Sequence, residues 1–298
     1  MTYVYDEVTI SGGNFDVEGT SACLSQFVDT MTTAGWVLVD DRRDQPGTTS
    51  TVTTHKVVLH NDGGEIGTDP NLYITMTSGN SATQNSNFIQ FQLHLAYDAG
   101  PHTIPSSGLP LPDSTNPATF TKTITVDSNG YTNMWLACDK DSLICFTNAT
   151  ATIDYTVMFG RVDRFMNSED EPYATYLASS ASHASNLSSV HCHIGNNPVQ
   201  KISTSSDAIF TAATLNTANE PRTGLGQDKF LYSALPLLFT IDDASPILKG
   251  AIGYVKNVFT GVGNTSGLPR VGRAVVSGTG EVYTIFSPGT VASYIRNT

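Results

Sequence analysis

Residues 133–165 read NMWLACDKDSLICFTNATATIDYTVMFGRVDRF, and this stretch decides the fold. Met134 to Cys138 is apolar and aromatic, and Asp139-Lys140-Asp141-Ser142 is a polar reversal. Leu143 to Thr147 is apolar again, and Asn148 to Thr150 is a second polar break before Ile153 to Phe159. The pattern predicts three consecutive antiparallel strands. Ile153, Tyr155, Val157 and Phe159 fall at every second position, which predicts a core face, with Asp154, Thr156 and Met158 on a semi-exposed face. A meander of this kind is stable only when something covers its apolar side.

Working outward, the surroundings are built for strands and loops. Charged residues are 14% of the 298-residue chain, well under the roughly 25% usual for soluble domains. Thr, Ser, Asn and Gly fill the deficit, while 39% hydrophobic content is enough for a substantial core. With 27 acidic against 15 basic side chains the net charge is -12. That sign opposes direct nucleic-acid binding by phosphate neutralisation and docking on anionic membranes. No apolar run approaches the roughly 18 residues of a membrane span, and the opening MTYVYDEVTI is not a secretion signal, so cytoplasmic synthesis is expected. Cys23, Cys138, Cys145 and Cys192 are too few and too scattered for a disulfide scaffold and are expected as free thiols. Cys138 and Cys145 flank one reversal and could face each other across a hairpin, where a disulfide is geometrically possible, although free thiols are favoured.

Before the meander, Tyr3 to Ile10 predicts a strand. Leu24, Phe27, Val28 and Met31 then recur at helical spacing, so a helix is expected over Ser21 to Ala34, capped by Thr20 or Ser21 and closed by Gly35. Trp36 to Val39 and His55 to His60 predict strands around a polar loop from Arg42 to Thr54. Leu72 to Met76 and Phe88 to Leu95 predict two more around a loop from Ser78 to Asn87. The prolines of Gly100 to Thr119 predict an extended surface loop.

After the meander, residues 166–229 read as a Ser/Thr/Ala/Asn-rich connector. Residues 230–298 read as a C-terminal β region: an apolar run from Phe230 to Ile241 broken by Pro236, then Ile252 to Val255, then a hairpin of Val271 to Val276 and Glu281 to Phe286. The expected fold class is mainly β, with antiparallel sheets or a β-sandwich, one N-terminal amphipathic helix over residues 21–34, and long ordered loops. Residues 1–165 form the first β domain in this reading.

Three groups invite a chemical reading. His191-Cys192-His193 offers zinc ligands, but neighbours in a strand face opposite ways and the paired spacings of a closed site are absent. Asp139, Asp141 and Asp163 offer the two carboxylates of a glycosidase, yet Asp, Lys and Ser between apolar strands are turn residues. Tyr3, Tyr5 and Tyr97 offer rings for stacking on sugars, although at strand positions core or interface packing is favoured. Gly261-Val262-Gly263-Asn264 lacks the lysine and helix of a phosphate loop, and Asp242-Asp243 near Pro246 reads as a turn. No catalytic, cofactor-binding or metal residue is assigned, and no enzyme activity is expected.

In the order of several segments the chain resembles virion structural proteins of tailed bacteriophages, of the tail, baseplate or neck kind. The segments are the early helix followed by Gly35-Trp36, Leu72-Tyr73-Ile74, Tyr97-Asp98-Ala99-Gly100, Trp135-Leu136-Ala137-Cys138-Asp139-Lys140-Asp141, Phe159-Gly160-Arg161-Val162-Asp163-Arg164-Phe165, Asp170-Glu171-Pro172-Tyr173, and Leu248-Lys249-Gly250-Ala251-Ile252-Gly253-Tyr254-Val255. The resemblance implies a virion component that works through contacts with copies of itself and other virion proteins, with no active site to carry over. A receptor- or glycan-binding module of the tail tip, engaging a host surface glycan, is the alternative expectation.

Overall fold

The computed structural model describes residues 2–11, 17–49, 52–62, 71–81, 86–105, 121–126, 131–150, 153–164, 174–180, 189–194, 200–201, 231–240, 248–262, 271–275, 279–286 and 291–297. The first strand, β1 (Val4–Ser11), is followed by the helix α1 (Val17–Thr33). Five strands come next: β2 (Val37–Thr49), β3 (Val52–Asn61), β4 (Leu72–Ser81), β5 (Ser86–His94) and β6 (Thr121–Val126). The meander is β7 (Tyr131–Cys138), β8 (Ser142–Thr150) and β9 (Ile153–Arg161), with the short β10 (Asp163–Arg164) behind it. Then come β11 (Ala174–Ser180), β12 (Ser189–Ile194) and β13 (Gln200–Lys201). The chain closes with β14 (Leu231–Thr240), β15 (Leu248–Val262), β16 (Val271–Val275), β17 (Val282–Phe286) and β18 (Val291–Arg296).

These strands make three sheets, and every strand pair is antiparallel. One has seven strands in the order β1-β7-β8-β9-β11-β12-β13, and one has five in the order β2-β3-β4-β5-β6. The third runs β10-β15-β18-β17-β16, with β14 on β15. The mainly β, antiparallel class with one N-terminal helix is thus the fold of the described residues. No described helix is long and apolar enough to cross a membrane.

The helix forms the first core because its apolar stripe is continuous. Leu24, Phe27 and Met31 are fully buried, and each removes apolar surface worth about 1.5–3 kcal/mol. Phe27 meets Phe91 of the five-stranded sheet edge-on at 5.3 Å, and Phe91 lies 6.1 Å from Phe159 of the seven-stranded sheet. The stripe therefore joins two sheets. At the C-terminus Gly35 takes φ +104°, its N–H bonds Thr32 O at 3.1 Å, and Trp36 N–H bonds Met31 O at 3.0 Å. This is a Schellman closure, which needs a residue free of the Cβ penalty at positive φ.

Several expectations about boundaries are corrected. The helix starts at Val17, so Thr20 and Ser21 lie inside it. The polar stretch from Arg42 to Thr54 is not a loop but the arms of the β2–β3 hairpin, since β-branched Thr suits a pleated surface. The loop expected from Ser78 to Asn87 shrinks likewise, with β4 reaching Ser81 and β5 starting at Ser86. The break at Asn148–Thr150 is a register shift within β8, and Pro236 lies inside β14 without ending it. Strand β6 carries no signal that the sequence reading used. Within residues 166–229, β11 pairs with β9 and β12 with β11, so part of that stretch completes the seven-stranded sheet. Most of the Pro-rich segment and residues 202–230 lie outside the described residues.

The largest correction concerns the second face of the meander. Thr156 and Met158, expected to be semi-exposed, are fully buried, as are Ala137, Ile144 and Tyr176 on the same side. The third sheet covers them: Phe286 stacks on Phe146 at 4.2 Å and meets Trp135 edge-on at 5.2 Å. The meander is the middle layer of three.

Candidate functional site

The reversal between β7 and β8 is a turn, as its residue types require, but it is deeply buried. Asp139 and Asp141 are each 3% exposed. One carboxylate oxygen of Asp139 accepts from Asp141 N–H and Ser142 N–H, both at 2.8 Å, and from the Ser142 hydroxyl at 3.1 Å. Its other oxygen accepts from Asn257 Nδ2 at 2.6 Å, and its carbonyl accepts from the Trp36 indole at 2.9 Å. Asp141 bonds Lys256 Nζ at 2.7 Å and has Arg161 Nε at 3.7 Å, while Arg161 reaches Asn61 of β3 at 3.3 Å. Four side chains thus converge on one turn: Trp36 from just ahead of β2, Arg161 of β9, and Lys256 and Asn257 of β15.

A bulge makes this convergence possible. Between Leu235 and Ala234 of β14, the partner positions on β15 jump from Val255 to Phe259, leaving residues 256–258 out of the pairing with β14. Asn257 there takes φ +63°, a conformation that Asn tolerates better than most side chains. Lys256 and Asn257 are thereby aimed at the turn. The carboxylates of Asp139 and Asp141 are committed to these partners, and Asp163 stands apart, exposed, opposite Tyr254 in the β10–β15 pair. The three do not face one another as an acid and base would across a sugar.

A second constellation lies on the outer face of the five-stranded sheet. A register shift between Leu38 and Asp40 turns Asp40 away from the core, opposite Val58. Its Oδ2 accepts from the Tyr97 hydroxyl at 2.5 Å and sits 2.7 Å from His102 Nδ1. Burial would raise the Asp40 pKa, but these two bonds and the charges of His102 and Lys56 prevail and hold it below the usual range. Tyr97 is shifted upward by burial and by donating to Asp40. His102 adopts φ +59° in the turn from Asp98 to Thr103, where Gly100 N–H bonds the Asp98 carboxylate at 3.0 Å.

Beside it, His60, Tyr73 and His94 are register partners on β3, β4 and β5. Their rings stack at 5.3 and 5.6 Å with interplanar angles of 19° and 12°. His94 is buried, and burial pushes its pKa down to about 4. The neutral ring has one arrangement consistent with its partners: Nδ1–H donates to Ala96 O at 2.9 Å, and Nε2 accepts from the Thr75 hydroxyl at 2.8 Å.

The other candidates separate. Tyr3, just ahead of β1, donates to Arg296 O, and Tyr5 of β1 meets Thr284 Oγ1 at 2.5 Å, so both tie the N-terminal segment to the third sheet; burial raises both phenols. Cys23, Cys138 and Cys145 are free and buried. Cys138 pairs with Leu143 and Cys145 with Leu136, so the two thiols are offset along the hairpin. His191, Cys192 and His193 occupy β12, opposite Leu177, Tyr176 and Thr175, with side chains outside the described set. Among the described residues no group of three or more His, Cys, Asp or Glu side chains is placed to hold a metal. His55 and Ser78 are cross-strand partners, with His55 Nδ1 held by Arg43 O at 2.5 Å, but Ser78 is fully buried, which denies a substrate access to it.

Asp40, His94 and His102 were missed from the sequence. The bulge that turns Asp40 to the outer face has no residue signature, whereas Gly100-Pro101 does mark the turn that carries His102. No protein-family model matches the chain, and no curated protein sequence matches it. What the fold defines is a three-sheet antiparallel β protein, in which the polar cluster at the β7–β8 turn joins two layers.

Proposed function

We propose that this chain is a structural subunit of a tailed-bacteriophage particle, a tail, baseplate or neck component that acts through subunit contacts in a multimeric assembly. One observation carries the reading. The side chains best suited to chemistry are committed to partners within the fold: Asp139 and Asp141 to Asn257, Lys256 and Arg161, which joins two sheets, and Asp40 to Tyr97 and His102, which pins the turn after β5 on β2. A buried charge network of this kind is weak support for stability but fixes a unique arrangement of layers, which a repeating assembly requires. The chain would be made in the host cytoplasm and reside in the virion.

The glycan-binding alternative has less support. A sugar platform needs open aromatic faces, whereas His60, Tyr73 and His94 use theirs on one another. Quantitative mass spectrometry of purified particles tests the proposal. A fixed, multiple copy number per particle is the expected result, and absence of the chain from particles would overturn it.

A further inference from the structure

We propose that the outer edge of β1 pairs antiparallel with β1 of a second copy of this chain, joining two seven-stranded sheets into one. The inference rests on the subunit-contact reading and names its surface. Strand β1 ends its sheet: β7 takes one edge from Val4 to Ser11 without a register shift, and no described strand takes the other. Such an edge presents a row of backbone N–H and C=O groups ready to receive another strand. Proteins ordinarily blunt it with shortness, bulges, Pro or Lys.

Each other outermost strand among the described residues is blunted. Strand β2 has two register shifts and Pro46, and β14 has three register shifts and Pro236. Strands β10 and β13 are 2 residues long, and β16 is 5 residues long with Gly272 and Arg273. Strand β6 carries Lys122 and packs against β9 and β11. Strand β1, VYDEVTIS, has none of these devices. It is also accessible: every residue from Val4 to Ile10 is exposed or half-buried, whereas Met134 to Cys138 across the pair are buried.

The residues of β1 select a copy of the same strand. Val4, Val8 and Ile10 lie on one face, half-buried against the first core, so the apolar row runs out to the edge and stops there. Tyr5, Glu7 and Thr9 lie on the other face. A two-fold axis perpendicular to the sheet keeps each face on its own side. Centred on Val8, it continues the row as Val8 against Val8 and sets Glu7 opposite Thr9, Tyr5 opposite Ser11 and Asp6 opposite Ile10. Centred on Asp6 or Glu7, it would oppose like carboxylates, which destabilises a pair. Both charges are answered within each copy, Glu7 by Arg273 at 2.6 Å and Asp6 by Gln26 Nε2 at 3.3 Å and the Thr30 hydroxyl.

Sedimentation velocity of the full chain over a concentration series, alongside thermal unfolding, tests this with Thr9→Asp and Thr9→Lys. In the Val8-centred register each variant sets its new charge opposite Glu7 of the other copy, and symmetry repeats the contact. Thr9→Asp should therefore weaken self-association by about tenfold, while Thr9→Lys preserves or tightens it. Thr9 is exposed and gives up only its bond to Asn133 at 2.6 Å, so both melting temperatures should stay close to that of the unsubstituted chain. Val8→Cys, oxidised, should form a covalent dimer that the unsubstituted chain does not, and it reads the edge even where Thr9→Asp folds poorly. Self-association that both Thr9 variants leave unchanged, or no covalent dimer from Val8→Cys, overturns the assignment of this edge and leaves the subunit-contact reading standing. A chain that is monomeric throughout also overturns it, with particle composition deciding that reading separately.

Discussion

Gly160 lies against the carbonyl of Asp141 so closely that a Cβ on Gly160 would stand 2.3 Å from that oxygen. The contact locks β9 onto the β7–β8 turn, because Arg161 N–H donates to the same carbonyl at 2.9 Å. Gly160 also takes φ +146°, a conformation that side chains rarely adopt. Both facts require glycine. The turn, with its bonds to Asn257 and Lys256, depends on this one missing methyl group.

Gly160→Ala should accordingly be among the most damaging single-methyl additions in the chain. Backbone strain of about 1–3 kcal/mol adds to the clash with immobile backbone. Thermal unfolding should show a large fall in melting temperature. An unchanged value would mean that the turn can retreat and is not the fixed point described above.

The pair between Lys256 and Asp141 is expected to couple the third sheet to the middle one. Asp141 is 4% and Lys256 21% exposed by side chain, so removing the aspartate charge alone leaves a half-buried cation beside a buried turn. Asp141→Asn should cost about 3 kcal/mol, and the double variant with Lys256→Met should recover part of that loss. Chemical denaturation of the four species gives the coupling energy. Strict additivity would show that the two residues do not act together, although Arg161 shares the carboxylate and will absorb part of the effect.

The buried imidazole of His94 sets a pH dependence of definite sign. Its folded pKa is near 4 against 6.5 for the free side chain, so the unfolded state binds more protons between those values. The contribution to stability is fully present above pH 6.5 and is lost as pH falls toward 4. Comparing melting temperature against pH for the unsubstituted chain and His94→Gln isolates it from the carboxylates, since Asp40, held low, acts only below its own usual range. The difference between the two curves should narrow as the pH falls through this window. A constant difference would show that the ring is solvated.

How much of this was legible depended on where the partner of each residue sits in the sequence. Leu24, Phe27, Val28 and Met31 announce a helix because their partners lie within one another's turns, and the alternation of Ile89, Phe91 and Leu93 announces a core face for the same local reason. Met158 and Thr156 gave no such notice. Their burial comes from a sheet whose Phe286 stands more than a hundred residues further along the chain, and no local period can encode that. The turn chemistry of Asp139 to Ser142 was readable, but its burial under Asn257 was not, since a bulge in β15 supplies the contact. Thr-rich residues 42–54 misled in the opposite way, because polar composition was weighed above the β-branching of Thr.

The claim that the chain is a repeated structural subunit is tested most directly by cryo-electron microscopy of the intact particle. The account predicts the three-sheet fold at symmetry-related positions, each copy buried against its neighbours. A map in which the fold is absent, or stands as an isolated appendage without subunit contacts, would contradict it.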